Sequence, residues 1–138
     1  MNGQRSDVEV ISATSNLLLE KSFAFALRVM KLRKYLLYDA PYKEHDVSRQ
    51  LLRSATSIGA NAEEAQGAQS PTDFIAKVSI SYKEARESRY WIRLLGGAGY
   101  IDENMSASLL ADIEELCRIL SSILITSKKR LQKGVYTR

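Results

Sequence analysis

Residues 70–99 read SPTDFIAKVSISYKEARESRYWIRLLGGAG, a start signal, an apolar period and a stop in one run. Ser70 suits a helix N-cap and Pro71 the first helical position, where no backbone N–H is needed; Asp73 complements the positive end of the helix dipole. Phe74, Val78, Ser81, Ala85, Ser88, Ile92 and Leu95 then recur at spacings of three and four, which places them on one face of an α-helix. Ile75, Tyr82 and Trp91 flank that face, and the Gly96-Gly97-Ala98-Gly99 cluster ends the helix.

The same period extends outward in both directions. Upstream, a helix from Asp46 or Ser48 to Gln66 carries Val47, Leu51, Ala55, Ile58, Ala62 and Ala65 on one face. That face is rich in small residues, with Gly59 and Ala60 beside it, so a neighbouring helix can approach closely. Gly67 fits a C-terminal stop. Before it, a helix from about Ser15 to Tyr38, capped by Ser15 or Asn16, carries two adjacent apolar stripes. Leu18, Phe25, Val29, Leu32 and Leu36 form one; Leu19, Phe23, Ala26, Met30 and Leu37 form the other. Pro41 ends it. Downstream, a fourth helix begins between Asp102 and Ser106 and reaches about Leu131, with Leu109, Ile113, Leu116, Leu120 and Ile123 on its main face. Short connections favour antiparallel neighbours. The expectation is an all-α, up-down-up-down antiparallel four-helix bundle over residues 15–131, with a loose lead-in at 1–14 and a basic tail at 132–138.

Composition fits that plan. A chain of 138 residues is the size of one domain, able to bury roughly 68% of the surface that its unfolded form exposes. Only Pro41 and Pro71 interrupt it as prolines. The single Cys117 excludes an internal disulfide, and one cysteine with one histidine, His45, cannot build a structural zinc site within a chain. No run approaches the ~20 apolar residues of a membrane span. The polar Met1–Asp7 segment lacks an apolar signal core, so the expected compartment is the cytoplasm.

The formal net charge is +4. It is unevenly spread: Lys128, Lys129, Arg130, Lys133 and Arg138 lie in a stretch with no acid. Cations there complement the negative end of a helix dipole, and they are also the candidate nucleic-acid contacts.

Chemistry finds no complete constellation. Arg53, Ser54, Ser57, Asn61 and Glu64 lie at helical spacings on the second helix, and Lys83, Glu84, Arg86 and Glu87 on the third. Glu64, Glu84 and Glu87 suggest a carboxylate metal site, but bundle metal sites of that kind also use paired Glu-x-x-His motifs, which are missing here. The alternative is a partly buried structural network of Arg53, Asn61, Glu64, Lys83, Glu84 and Glu87 between the two helices; burial would make Arg53→Ala cost about 2 to 4 kcal/mol. The lone histidine leaves the serines without a base, and the glycine cluster lacks the Lys-Ser/Thr of a phosphate loop. Tyr90, Trp91, Arg93 and Tyr100 pair aromatics with a cation and could stack bases; at the end of a bundle helix they also suit packing or subunit contact. Tyr82, Tyr90 and Trp91 are the candidate oligomer interface. The expectation is therefore no enzyme, no cofactor and no small-molecule substrate.

One resemblance sharpens this. The string Gln50-Leu51-Leu52-Arg53-Ser54-Ala55-Thr56-Ser57-Ile58-Gly59-Ala60-Asn61-Ala62-Glu63-Glu64-Ala65 resembles the signature of the bacterial four-helix proteins encoded in 23S rRNA intervening sequences. Asp73 to Lys77 and Lys83 to Leu95 resemble the third helix of that family. The likeness runs from about Leu17 to Arg130. It implies a ring-shaped homo-oligomer, a pentamer above other numbers, with no attached catalytic activity. The family is similar to the accessory variability determinant proteins of diversity-generating retroelements, which implies RNA or DNA and a reverse transcriptase as partners. Two functions stay open: an assembly protein that binds nucleic acid through basic surface, or a structural or protein-partner scaffold that does not.

Overall fold

A computed structural model describes residues 6–134. Among them are four helices and no strand: α1 Asp7–Tyr38, α2 Asp46–Gln66, α3 Pro71–Gly97 and α4 Glu103–Gln132. Each packs against two others, α1 and α3 both touching α2 and α4.

The expected start of α1 is corrected. The helix begins at Asp7, inside the stretch read as a loose lead-in. The reason is a capping box at Ser6: its Oγ accepts from Glu9 N at 3.2 Å, and Ser6 N donates to Glu9 Oε2 at 3.4 Å. Ser15 is then a buried helix-interior residue, not a cap.

The other starts follow local chemistry. Ser70 Oγ accepts from Asp73 N at 3.0 Å, with Pro71 at the first helical position. Asp102 Oδ1 accepts from Met105 N at 2.8 Å. For α2 the N-cap His45 offers no side-chain bond, and Glu44 reaches over it instead. Its carboxylate accepts from Asp46 N, Val47 N and Ser48 N at 3.0, 2.8 and 2.6 Å. Burial alone would push the Glu44 carboxyl up; the Val47, Ser48 and Asp46 N–H groups together hold it below the ordinary carboxylate value.

The core is the set of main stripes read from the sequence. Leu18, Phe25, Val29, Leu32 and Leu36 of α1 face Leu51, Ala55, Ile58, Ala62 and Ala65 of α2 and the matching residues of α3 and α4. Each large aliphatic side chain closed off in this way contributes roughly 1.5–3 kcal/mol. Small residues bring α2 and α3 together: Ser54 and Ser88 hydroxyls meet at 2.8 Å, and Ser81 Oγ donates to Ile58 O at 2.8 Å, all buried. No helix is long and apolar enough to cross a membrane among the described residues.

Candidate subunit and nucleic-acid surfaces

The second stripe expected for α1 is only partly uncovered. Leu19, Ala26 and Leu37 are half-buried and Phe23 and Met30 are exposed; Leu27, outside that stripe, is exposed beside them. Phe23, Leu27 and Met30 are 66%, 44% and 55% exposed. They follow one another at spacings of four and three, so they share an outward line of the helix. Leu19 packs partly against the core below them.

The aromatic residues of α3 behave differently from one another. Tyr82 and Trp91 pack partly against the core. Trp91 Nε1 donates to Glu87 Oε2 at 2.9 Å, and its ring meets Tyr90 edge-on at 5.1 Å between centroids. Tyr90 is the exposed one.

The polar network at α2 and α3 is smaller than expected. Arg53 Nη2 bonds Glu87 Oε2, and Arg53 Nη1 lies 3.4 Å from Glu84 Oε1. The Glu87 bond lifts the Arg53 guanidinium above its usual value. Burial would raise the Glu87 carboxyl, but the bonds from Trp91 and Arg53 hold it below the ordinary range. Asn61 stays on its own helix, bonding Ser57 O at 2.9 Å and Ser57 Oγ at 3.1 Å. Glu64 pairs with Lys77 at 3.1 Å, and Lys83 is exposed with no ion pair among the described residues. The network sits at the rim of the helix interface: the Arg53 side chain is 50% exposed. The three glutamates suggested as a metal set are thus split, and no group of three His, Cys, Asp or Glu side chains that could hold a metal occurs among the described residues.

The basic residues divide into two regions. Lys128, Lys129 and Arg130 occupy the last turns of α4, and Lys133 is its C-cap. Arg130 Nη1 lies 3.6 Å from Asp7 Oδ2, and its side chain is only 14% exposed, so it ties α4 to the start of α1. Arg138 lies outside the described residues. The second region escaped the sequence reading as a surface. Lys83, Arg86, Arg89, Tyr90 and Arg93 surround a concavity of about 460 Å³ on α3, together with Glu87. Arg86 stands over the Tyr82 ring at 5.9 Å, and Arg89 Nε lies 3.3 Å from Glu114 Oε2. The signal for it was the 83-86-90-93 spacing, which puts these side chains on one face of a helix.

Cys117 is half-buried between α3 and α4. Burial pushes its thiol up, although Arg89 and Arg86 pull against that.

No curated protein matches the chain. The chain is similar to a solved structure, a protein with unknown function from the S23 ribosomal protein family of Bacteroides thetaiotaomicron VPI-5482, with 43% identity and a TM-score of 0.77 over 80% of this chain and 97% of that one. Residues 15–122, from within the first half of α1 into the second half of α4, match the 23S rRNA-intervening sequence protein family. With most of its helical body matched, the chain belongs to the 23S rRNA-intervening sequence protein family.

Proposed function

We propose that the chain is a non-enzymatic, cytoplasmic assembly protein: an antiparallel up-down-up-down four-helix bundle that joins copies of itself into a ring, a pentamer above other numbers, and binds RNA or DNA through basic surface. A reverse transcriptase is the protein partner that the likeness to retroelement accessory proteins suggests.

The exposed apolar line of Phe23, Leu27 and Met30 on α1 carries this reading. A bundle standing alone needs one apolar stripe per helix, yet Phe23, Leu27 and Met30 face outward. Large contiguous apolar surface on a small protein marks a contact site. A second copy of the chain is the occupant that the ring requires, because in a closed ring every subunit meets its neighbours through the same pair of surfaces. The antiparallel order is supported by residue pairs that run in opposite directions, Lys21 with Glu115 and Arg28 with Asp112 for α1 and α4. Arg53 with Glu87 and Glu64 with Lys77 do the same for α2 and α3. A ring of five would carry five times the +4 of one chain, so modest basic patches would act together on one polyanion.

Light scattering on the purified chain tests the assembly. The expected mass is a multiple of 15.5 kDa, near five-fold, and Phe23→Glu with Met30→Glu should reduce it. A wild-type mass of one chain would sink the ring. Oligomers that ignore every single-stranded and duplex probe at low salt would favour the scaffold without nucleic acid.

A further inference from the structure

We infer that the face shared by α3 and α4, not the C-terminal tail, is the nucleic-acid surface, and that it takes a single strand, with phosphates on Lys83, Arg86, Arg93 and Arg118 and a base stacked on Tyr90. This rests on the nucleic-acid part of the function proposed above and names where that contact is made.

The first support is charge sorting. Carboxylates near this face are already engaged: Glu84 and Glu87 by Arg53, and Glu114 by Arg89. Lys83, Arg86, Arg93 and Arg118 form no ion pair among the described residues. All four are exposed. Positive charge is therefore left over here, while several carboxylates without a basic partner cap helix starts, such as Glu44 at α2 and Asp102 at α4.

The second is shape. The concavity on α3 is followed by a hollow of about 490 Å³ toward α4, where Arg118, Ser121, Ser122 and Thr126 line it together with Cys117 and Ile125. Tyr82, under the Arg86 guanidinium, forms part of its wall, so the two depressions adjoin. Arg118 and Ser122 are four residues apart and so lie on one line of α4. Hydroxyls beside a cation are suited to phosphate oxygens.

The third is the aromatic platform. Tyr90 is 51% exposed, sits among Arg86, Arg89 and Arg93, and is braced edge-on by Trp91. Trp91 is in turn fixed by Glu87. A braced, half-exposed ring inside a cationic groove is the arrangement that stacks an unpaired base; a duplex hides its base faces. From Lys83 to Arg93 the helix rises about 15 Å, the span of roughly four stacked nucleotides.

The test uses the full chain and labelled oligouridylate, oligothymidylate and a duplex, with binding followed by fluorescence anisotropy across a salt series. The single strands should bind more tightly than the duplex, and the two single-strand arms separate RNA from DNA. Arg86→Gln with Arg93→Gln should weaken binding roughly tenfold at low salt and flatten the salt slope by about 1.4, two phosphate contacts for a single strand. Tyr90→Ala should weaken it about five-fold or more, and Tyr90→Phe should restore it. Lys128→Gln with Lys129→Gln should leave most of the affinity. Absence of any wild-type binding overturns both this inference and the nucleic-acid reading. Binding that survives the α3 variants but falls with the Lys128 and Lys129 variants overturns this inference alone, as does a preference for the duplex.

Discussion

Ser54 of α2 and Ser88 of α3 face each other hydroxyl to hydroxyl at 2.8 Å in the buried interface of their helices. Ser54 Oγ also donates to Leu51 O at 3.2 Å, so Ser88 is the side that depends on the pair. Ser88→Ala should cost about 1 kcal/mol, the net worth of one buried hydrogen bond. Ser88→Leu should cost more, at least 2 kcal/mol, by overpacking a contact built for small side chains. Urea unfolding of both variants checks the order. Equal stability of Ser88→Leu and wild type would mean that α2 and α3 are not as close as their serines require.

Arg53 carries a second expectation. Its bonds to Glu84 and Glu87 lie at the rim, where water screens them. The burial expected from the sequence would have made Arg53→Ala cost about 2 to 4 kcal/mol; half-exposure reduces this to about 0.5–1 kcal/mol. Glu87→Ala should do something Arg53→Ala does not. It frees the Trp91 indole N–H, so the emission of the single tryptophan should shift. An unchanged spectrum would separate Trp91 from Glu87.

These contacts mark what the sequence could and could not disclose. The stripes of α2, α3 and α4 were legible because one helix face is buried and repeats every three or four residues. Ser70-Pro71 was legible because a cap is local chemistry. The first turns of α1 were not, because Val8 and Val10 point into solvent and leave no period to follow; the Ser6–Glu9 box was the signal there. Helix register was also hidden. Glu64 takes Lys77 and not Lys83 because the offset between α2 and α3 is set by packing of both, which neither helix period contains. The α3 cations were visible singly, but their leftover charge emerges only once Arg53 and Arg89 have claimed the nearby carboxylates.

Glu44 makes stability depend on acid. Its folded value lies below the ordinary carboxylate pKa, about 4.3. The charged form is thus favoured by folding, and its contribution is complete above the unfolded value. It is lost as pH falls through that value and on through the lower folded one. Glu44→Gln should therefore weaken the chain at neutral pH and flatten the fall in stability below about pH 4.3. Glu44→Ala, which removes the cap from three N–H groups, should cost about 1 kcal/mol at pH 7. Thermal melts at neutral and acid pH provide the measurement; parallel curves for Glu44→Gln and wild type would remove Glu44 as the cause.

Gly59 and Gly96 should respond differently to alanine. Both lie within helices, where alanine is intrinsically better by up to ~1 kcal/mol. A Cβ at Gly59 would meet Ser22 Oγ at 3.3 Å, a tight contact with a small hydroxyl. A shift of a few tenths of an ångström relieves it, so the helix gain and the crowding should nearly cancel, leaving Gly59→Ala within about 0.5 kcal/mol of wild type. At Gly96 the Cβ would come within 2.5 Å of Ser106 Oγ and 3.2 Å of Ser106 Cβ, where α3 meets the start of α4. Rotating the hydroxyl clears only the first clash, and Gly96→Ala should cost about 1 to 3 kcal/mol. The pair can be tested as a cycle with Ser106→Ala. Removing Oγ takes away the worse contact, so the double variant should recover much of the loss. Additive effects of the two substitutions would show that Gly96 and Ser106 do not meet and that the α3–α4 corner is held some other way.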